Sequence, residues 1–535
     1  MKFTALISGV AVALTAQSGV AQENAASWYE QGAQRAASNL QAPNVGFEAK
    51  NVILFIGDGM GVSTVTAARI LEGQLRGETG EENSLSFEQF PHIALAKTYN
   101  TNQQTPDSAG TMTAMVSGIK TKAGVIGVDQ SVLRRDCASA SNSAVITAME
   151  LAEVAGMSTG LVSTARITHA TPAATYAKSP ERNWEDDHDL SDEAVANGCK
   201  DIARQLVEFP FGDGIDVAMG GGRRSFWPRG VADPEDANAT GERDDGRNLT
   251  EEWTQHASNN QFVWNKQQFG AIDPAASGQV LGLFERSHLE FEADREQDAG
   301  GEPSLSEMTE KSIDLLSRNE RGYFLMVESG RIDHAHHGTN AYRALTDAIE
   351  FSNAVRAAVE KVDLSETLII VTADHSHVFT LAGYPTRGND ILGKVMHNDS
   401  NGLPSGEYST DAGGMPYTTV GYTNGPGYAF TEAGRPDLTN VDTAGKNYLQ
   451  ETLVPLGSET HAAEDVAIYA TGPGAQAIRG TLEQNVIFHV IAQASPRMQS
   501  VLELLRQFNI KAGDGKPRQL QPSHLDLQQL QATLK

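Results

Sequence analysis

The sequence predicts an α/β fold: a doubly wound, mostly parallel central sheet flanked by helices, interrupted by an inserted surface subregion. Three observations point there. Asn51–Ile56, Tyr323–Val327 and Thr367–Ala373 are nearly continuous apolar runs, the pattern of strands buried on both faces of a parallel sheet. Strand-like and helix-like stretches alternate between them, as in βαβ units. Each run ends at an acidic residue, Asp58, Glu328 or Asp374, and open α/β sheets bind ligands at the carboxyl ends of their strands.

In chain order, residues 1–21 read as a secretory signal. Lys2 supplies the positive start, Leu6 to Ala16 the short apolar core, and Gly19-Val20-Ala21 the small-residue exit. An exported protein, periplasmic or secreted, is expected. Residues 26–39 read as a short helix before the first strand. After Asn51–Ile56, the spacing Gly57-x-Gly59-x-Gly61 is not the dinucleotide fingerprint. Ser108 stands just before a helix-compatible stretch, Thr111 to Gly118. A nucleophile at a helix N-terminus gains partial positive charge, although capping by Asp107 or Ser108 is the plainer role.

Helix is then expected over Ala144–Ala155, strand over Thr159–Ser163, helix over Asp201–Glu208 and strand over Ile215–Met219. Residues 229–248, rich in Asp, Glu, Arg and Gly, read as a surface loop. From 381 to 450 helix periodicity disappears and Gly, Pro, Asn, Tyr and Thr dominate, which marks the inserted subregion. Val466–Thr471 reads as a return strand, and 496–535 as a polar, Gln-rich tail with some helical pattern. No second apolar run is long enough to span a bilayer, and no lipid-anchor signal is visible.

The 535 residues carry 41 basic and 68 acidic side chains, a net charge of −27 that argues against nucleic acid as a partner. Cys137 and Cys199 fit one disulfide in an exported protein, or two buried thiols. They are too isolated for a thiolate metal site.

The chemistry-bearing residues fall in five segments. Asp58 comes first, then Ser108 in Thr105–Thr111, then Glu328–His337, Asp374-His375-Ser376-His377 and Glu459-Thr460-His461. Asp333 and His337, four apart, share a helix face and suit one metal ion; His336 competes on spacing alone. Mixed His/Asp ligation suits Zn²⁺ and an all-oxygen set suits Mg²⁺. A serine with no evident His/Asp relay, among such ligands, suggests a metal-activated nucleophile.

From about residue 28 to about 494 the sequence resembles a bacterial alkaline phosphatase. The likeness rests on Asn51–Gly61, Thr105–Thr111, Arg166–Pro172, Glu181-Arg182-Asn183-Trp184, Glu328–His337, Thr372–His375 and Thr460–Val466. It implies that Ser108 attacks phosphate monoesters and becomes phosphoserine, with Arg182 clamping the phosphate and Asp107 orienting Arg182. It implies one Zn²⁺ on Asp333, His337 and His461, another on Asp58, Asp374 and His375, and Mg²⁺ on Asp58, Thr171 and Glu328. Arg166 matches a position near the Mg²⁺ ligand, not the clamp. His169 and His334, beside the ligands, resemble the animal and marine-bacterial branch. That branch also holds Ca²⁺, for which Glu235, the Phe284 carbonyl, Glu285 and Glu302 are the matching positions; Glu302 departs from the usual Asp. Cys137 and Cys199 match a branch disulfide.

By the same resemblance, 22–47 forms an N-terminal arm, 48–380 with 451–495 the catalytic domain, and 381–450 a crown at a homodimer interface. Two other readings stay open: a phosphodiesterase or sulfatase on this scaffold, and an exported protein that binds metal without catalysis.

Overall fold

The computed structural model describes residue 46 and residues 48–432, 434–512 and 524–534. The signal and helix readings for 1–21 and 26–39 lie outside the described residues. Ten strands form the central sheet: β1 (Asn51–Gly57), β2 (His92–Lys97), β3 (Ser158–Arg166), β4 (Val217–Gly221), β5 (Gln261–Val263), β6 (Val280–Leu283), β7 (Tyr323–Ser329), β8 (Thr367–Thr372), β9 (Val466–Thr471) and β10 (Gly480–Glu483). Their order is β10-β2-β9-β8-β1-β7-β3-β4-β6-β5. Only β9 runs antiparallel to its neighbours.

The apolar runs become the sheet's centre because each residue there meets protein on both sides. Val52, Ile53, Leu54, Phe55 and Ile56 of β1 are all fully buried. Each such side chain contributes about 1.5–3 kcal/mol of gross burial free energy. Register places Ile56 beside Glu328 on β7 and Thr372 on β8, so three strand ends and their acidic residues arrive together.

Five helices matter for the site: α1 (Val62–Leu75), α2 (Ser108–Ser117), α3 (Leu305–Leu316), α4 (Arg331–His337) and α5 (Ala341–Lys361). Helix α5 packs on α1, α3 and α4, and Phe351 meets Phe55 edge-on at 5.9 Å between centroids. Helix α2 lies against Val486–Ala494 and Ala170–Ala173.

Between 382 and 451 the described residues contain no helix. A three-stranded sheet joins Phe379–Leu381, Val420–Gly425 and Thr452–Pro455, reaching past both ends of 381–450.

Two expectations need correction. The 229–248 segment is not merely a surface loop. Arg243 within it is fully buried on Asp201 (2.9 Å), and Asp233 pairs with buried Arg223 (2.8 Å). These ion pairs strap an otherwise polar segment to the interior, since a buried guanidinium must be paired. The C-terminal stretch has the helices its pattern suggests, but it is packed on the interior and is not a free tail. It holds helices at Pro496–Ala512 and His524–Leu534, and Leu527 and Leu530 enter the main core. Gln531 secures the second helix by accepting from Gly212 N (2.9 Å) and donating to Pro210 O (3.0 Å).

Candidate active site

Asp58 leaves the end of β1 in a turn that only glycine permits at the next position. Gly59 has φ +68°, and a Cβ there would lie 2.4 Å from His377 Nε2. Its N–H donates to Asp374 Oδ1 (3.0 Å), tying the β1 and β8 ends together. Ser108 is the first residue of α2 and almost fully buried. Asp107 does cap this helix, accepting from Gly110 N at 3.0 Å through Oδ1. Its other oxygen accepts from Gly124 N (2.8 Å) and Arg182 Nη1 (3.2 Å), so one side chain serves both cap and orienter.

Asp333, His337 and His461 converge. His337 Nε2 and His461 Nε2 each lie 3.4 Å from Asp333 Oδ1 and 3.2 Å from one another. The opposite nitrogens are already committed: His337 Nδ1 donates to Glu459 O (2.6 Å) and His461 Nδ1 to Pro106 O (2.8 Å). In the neutral rings both Nε2 atoms therefore present lone pairs to each other and to a carboxylate. That arrangement is repulsive unless a cation occupies the shared space, and the back-side bonds are those that orient metal-ligating imidazoles.

Asp58, Asp374 and His375 form the adjoining group. His375 Nε2 lies 3.4 Å from Asp58 Oδ1 and 3.2 Å from Asp374 Oδ2, and both oxygens are buried without a hydrogen-bond partner. Ser108 Oγ is 3.0 Å from the same nitrogen. This is not a serine–histidine relay. A relay imidazole is held through its second nitrogen by an acid, whereas His375 Nδ1 is buried and unpartnered. Asp58 and Glu328 converge with His169, and Thr171 Oγ1 is 3.4 Å from Asp58 Oδ2. Ser163 Oγ donates to Glu328 Oε2, while Glu328 Oε1 has no partner.

These carboxylates are costly together. Burial, followed by the charges of Asp374, Asp333 and Glu328, drives the Asp58 carboxyl well above its usual range. Burial chiefly pushes Glu328 up to about 8. Burial also raises Asp374. Asp333 goes the other way: burial opposes its ionisation, but the imidazoles gathered around it, His337, His377 and His461, hold it well below. Orphaned buried oxygens, mutual repulsion and mixed N/O donors fit divalent cations in all three groups.

Arg182 lies beside the cap of α2. Among the described residues it pairs with one carboxylate, Asp107, and Nη2 lies 3.3 Å from His169 Nε2. Arg166 makes a bidentate pair with Glu185 (2.8 and 2.6 Å). His169 and His334 stand edge-on, 5.4 Å between centroids.

Three further residues, His377, Glu459 and His288, pack around these groups. His377 donates through Nε2 to Asp333 Oδ1 (2.8 Å) and through Nδ1 to Glu459 Oε2 (2.5 Å), so Glu459 is its second anchor. Burial disfavours its charge, but these two carboxylates outweigh burial and raise it to about 9. His288 packs on His334 at 4.0 Å and accepts from Arg166 N at 3.2 Å. His377 and Glu459 sat inside visible clusters; His288 carried no signal at all.

A further acidic group lies apart from these. Glu235 and Glu285 converge with Asp298, not with Glu302. Both oxygens of Glu302 accept from Glu290 N, at 3.1 and 3.2 Å, with Glu285 and Asp298 close enough to act on its carboxyl. Asp298 Oδ2 and Glu235 Oε1 are buried and unpartnered. Phe284 precedes Glu285, its N–H donating to Gly220 O at 2.9 Å. Cys137 and Cys199 form the disulfide, 62 residues apart.

Comparison with known proteins agrees with this geometry. The alkaline phosphatase family profile matches residues 49–496. The rat tissue-nonspecific alkaline phosphatase is 43% identical over 499 residues, covering 92% of each chain. The alkaline phosphatase of Gadus morhua is 44% identical over 454 residues, covering 84% of this chain and 92% of that one. The crystal structure of Thermus thermophilus alkaline phosphatase superposes with a TM-score of 0.59 at 23% identity, over 88% of this chain and 98% of that one, a likeness of fold. The chain belongs to the alkaline phosphatase family, whose members are phosphoric monoester hydrolases.

Proposed function

We propose that the chain hydrolyses phosphate monoesters through a covalent phosphoserine on Ser108, at a site for two Zn²⁺ and one Mg²⁺. The observation that carries this reading is the convergence of His337, His461 and Asp333, the two Nε2 atoms 3.2 Å apart and each 3.4 Å from Asp333 Oδ1. Asp333, His337 and His461 would hold one zinc, and Asp58, Asp374 and His375 the other. Asp58, Thr171 and Glu328 offer oxygen for magnesium. When bound, such ions act as Lewis acids for the nucleophile and the leaving oxygen.

Ser108 Oγ attacks phosphorus and the ester alcohol departs. Water then attacks the phosphoserine, freeing inorganic phosphate and restoring the hydroxyl. Arg182 presents a planar fork to two phosphoryl oxygens, held in place by Asp107. Glu235, Glu285 and Asp298 are the set for a fourth ion, Ca²⁺. The Cys137–Cys199 bond supports an exported protein, and no described helix is long and apolar enough to cross a membrane. The open edge strand Thr452–Pro455, with Leu453 67% exposed, supports a homodimer through the crown.

Ser108→Ala tests the mechanism. It should lower turnover of p-nitrophenyl phosphate at least about 10³-fold while zinc content is retained. The diester and sulfate analogues should be poorer substrates than the monoester for the wild-type protein. Full activity in Ser108→Ala, or faster turnover of the diester or sulfate, contradicts the reading.

A further inference from the structure

His336 lies between two zinc-ligand positions in the chain but takes no part in their group. It is fully buried, with Nε2 3.0 Å from Thr64 Oγ1 and Nδ1 2.8 Å from Tyr422 OH. Each hydroxyl can donate or accept, so a neutral imidazole satisfies both bonds in either tautomer. No nitrogen is left for a metal ion.

The three bonded residues come from distant parts of the fold. Thr64 is on α1, immediately beyond the Asp58 turn. His336 is on α4, between Asp333 and His337. Tyr422 is on the middle strand of the crown sheet, paired through Asn424 and Gly425 to Val454 and Pro455. That neighbouring strand leads directly to Glu459 and His461. The His336 ring also lies 4.8 Å from the ring of His377, tilted by 31°, and His377 holds Asp333. The crown also reaches this group through Phe379–Leu381, which follows His377 in the chain, through the Glu459 segment, and through Gln450 N, which donates to Thr339 O (2.9 Å) just beyond His337; the Tyr422–His336 bond is the contact that enters α4 between Asp333 and His337.

We infer that the Tyr422–His336 hydrogen bond is a buried strut by which the crown fixes the geometry of the zinc-ligand set. Tyr422 and His336 are positioning residues: they touch neither ion nor substrate and act through α4 and His377. The inference rests on the zinc assignment proposed above. Partners one step behind metal ligands typically change metal affinity 10–100-fold, and this strut is one step further back.

The test is the rate at which zinc passes from the purified full-length holoenzyme to a chromogenic chelator. Tyr422→Phe should release zinc about tenfold faster, at the low end of that range. His336→Asn keeps a polar atom near the Nδ1 position and the bond to Tyr422. His336→Gln keeps one near Nε2 and the bond to Thr64. The strut predicts that His336→Asn stays closer to wild type than His336→Gln, and this comparison still decides if Tyr422→Phe folds poorly. Tyr408→Phe, elsewhere in the crown, should release zinc at the wild-type rate. Unchanged release in Tyr422→Phe, or faster release in His336→Asn than in His336→Gln, overturns the strut alone. A wild-type protein that binds no zinc overturns the zinc assignment with it.

Discussion

Glu302 and Asp298 differ in how their carboxylate oxygens are used. Four residues apart in one loop, both are acidic and both look eligible as cation ligands. Glu302 spends both oxygens on the Glu290 N–H, while Asp298 keeps a buried oxygen free. Calcium should therefore raise the melting temperature of wild type and Glu302→Gln, but not of Asp298→Asn, in thermal scans with and without the ion. Glu302 also makes a pH prediction. Burial, followed by Glu285, raises its carboxyl from 4.5 to about 9. Between those values the folded protein keeps a proton that the unfolded chain has lost, so its contribution to stability falls as pH rises. In metal-free protein, Glu302→Gln should melt higher than wild type at pH 8 and show no gain at pH 4. An equal gain at both would mean the carboxyl's ionisation is not the cause.

At the scale of elements, the strands that carry the ligands were legible because burial on both faces leaves an unbroken apolar run. β1, β7 and β8 were read with their acidic ends in place, and β9 with its limits. β2 was missed because it alternates buried and exposed residues near the sheet edge, and β5 because it has three residues. Buried Arg243 was invisible in a segment whose composition is that of a surface, since only the fold brings Asp201 to it. His377 and Glu459 stood in plain view, yet their pairing depends on the antiparallel contact of Ser376–His377 with His461–Ala462, which spacing does not reveal. The Cys137–Cys199 bond closes a loop of 62 residues around Arg166, Thr171 and Arg182. Replacing both cysteines with serine should cost about 4 kcal/mol by loop-closure entropy, measured by denaturant unfolding at fixed metal content. A change under 1 kcal/mol would show that the loop is already ordered without it.

For the whole molecule, the contrast is between a net charge of −27 and a site built to receive an anion. Neutralising Asp58, Glu328, Asp333 and Asp374 with divalent ions reverses the local sign, so metal loading should control phosphate binding as well as chemistry. Assembly is a separate question of surface. Leu453 on the open crown edge is 67% exposed, and Leu453→Asp should shift sedimentation from dimer to monomer. A wild-type protein that sediments as a monomer would remove the dimer from this account. The zinc requirement is the central claim, and it is tested most directly by stripping the protein with a chelator and titrating zinc back while monitoring phosphate release. The account predicts that activity vanishes on stripping and returns in full near two equivalents of zinc per chain, with magnesium present. Full activity in protein shown by metal analysis to be free of zinc would contradict it.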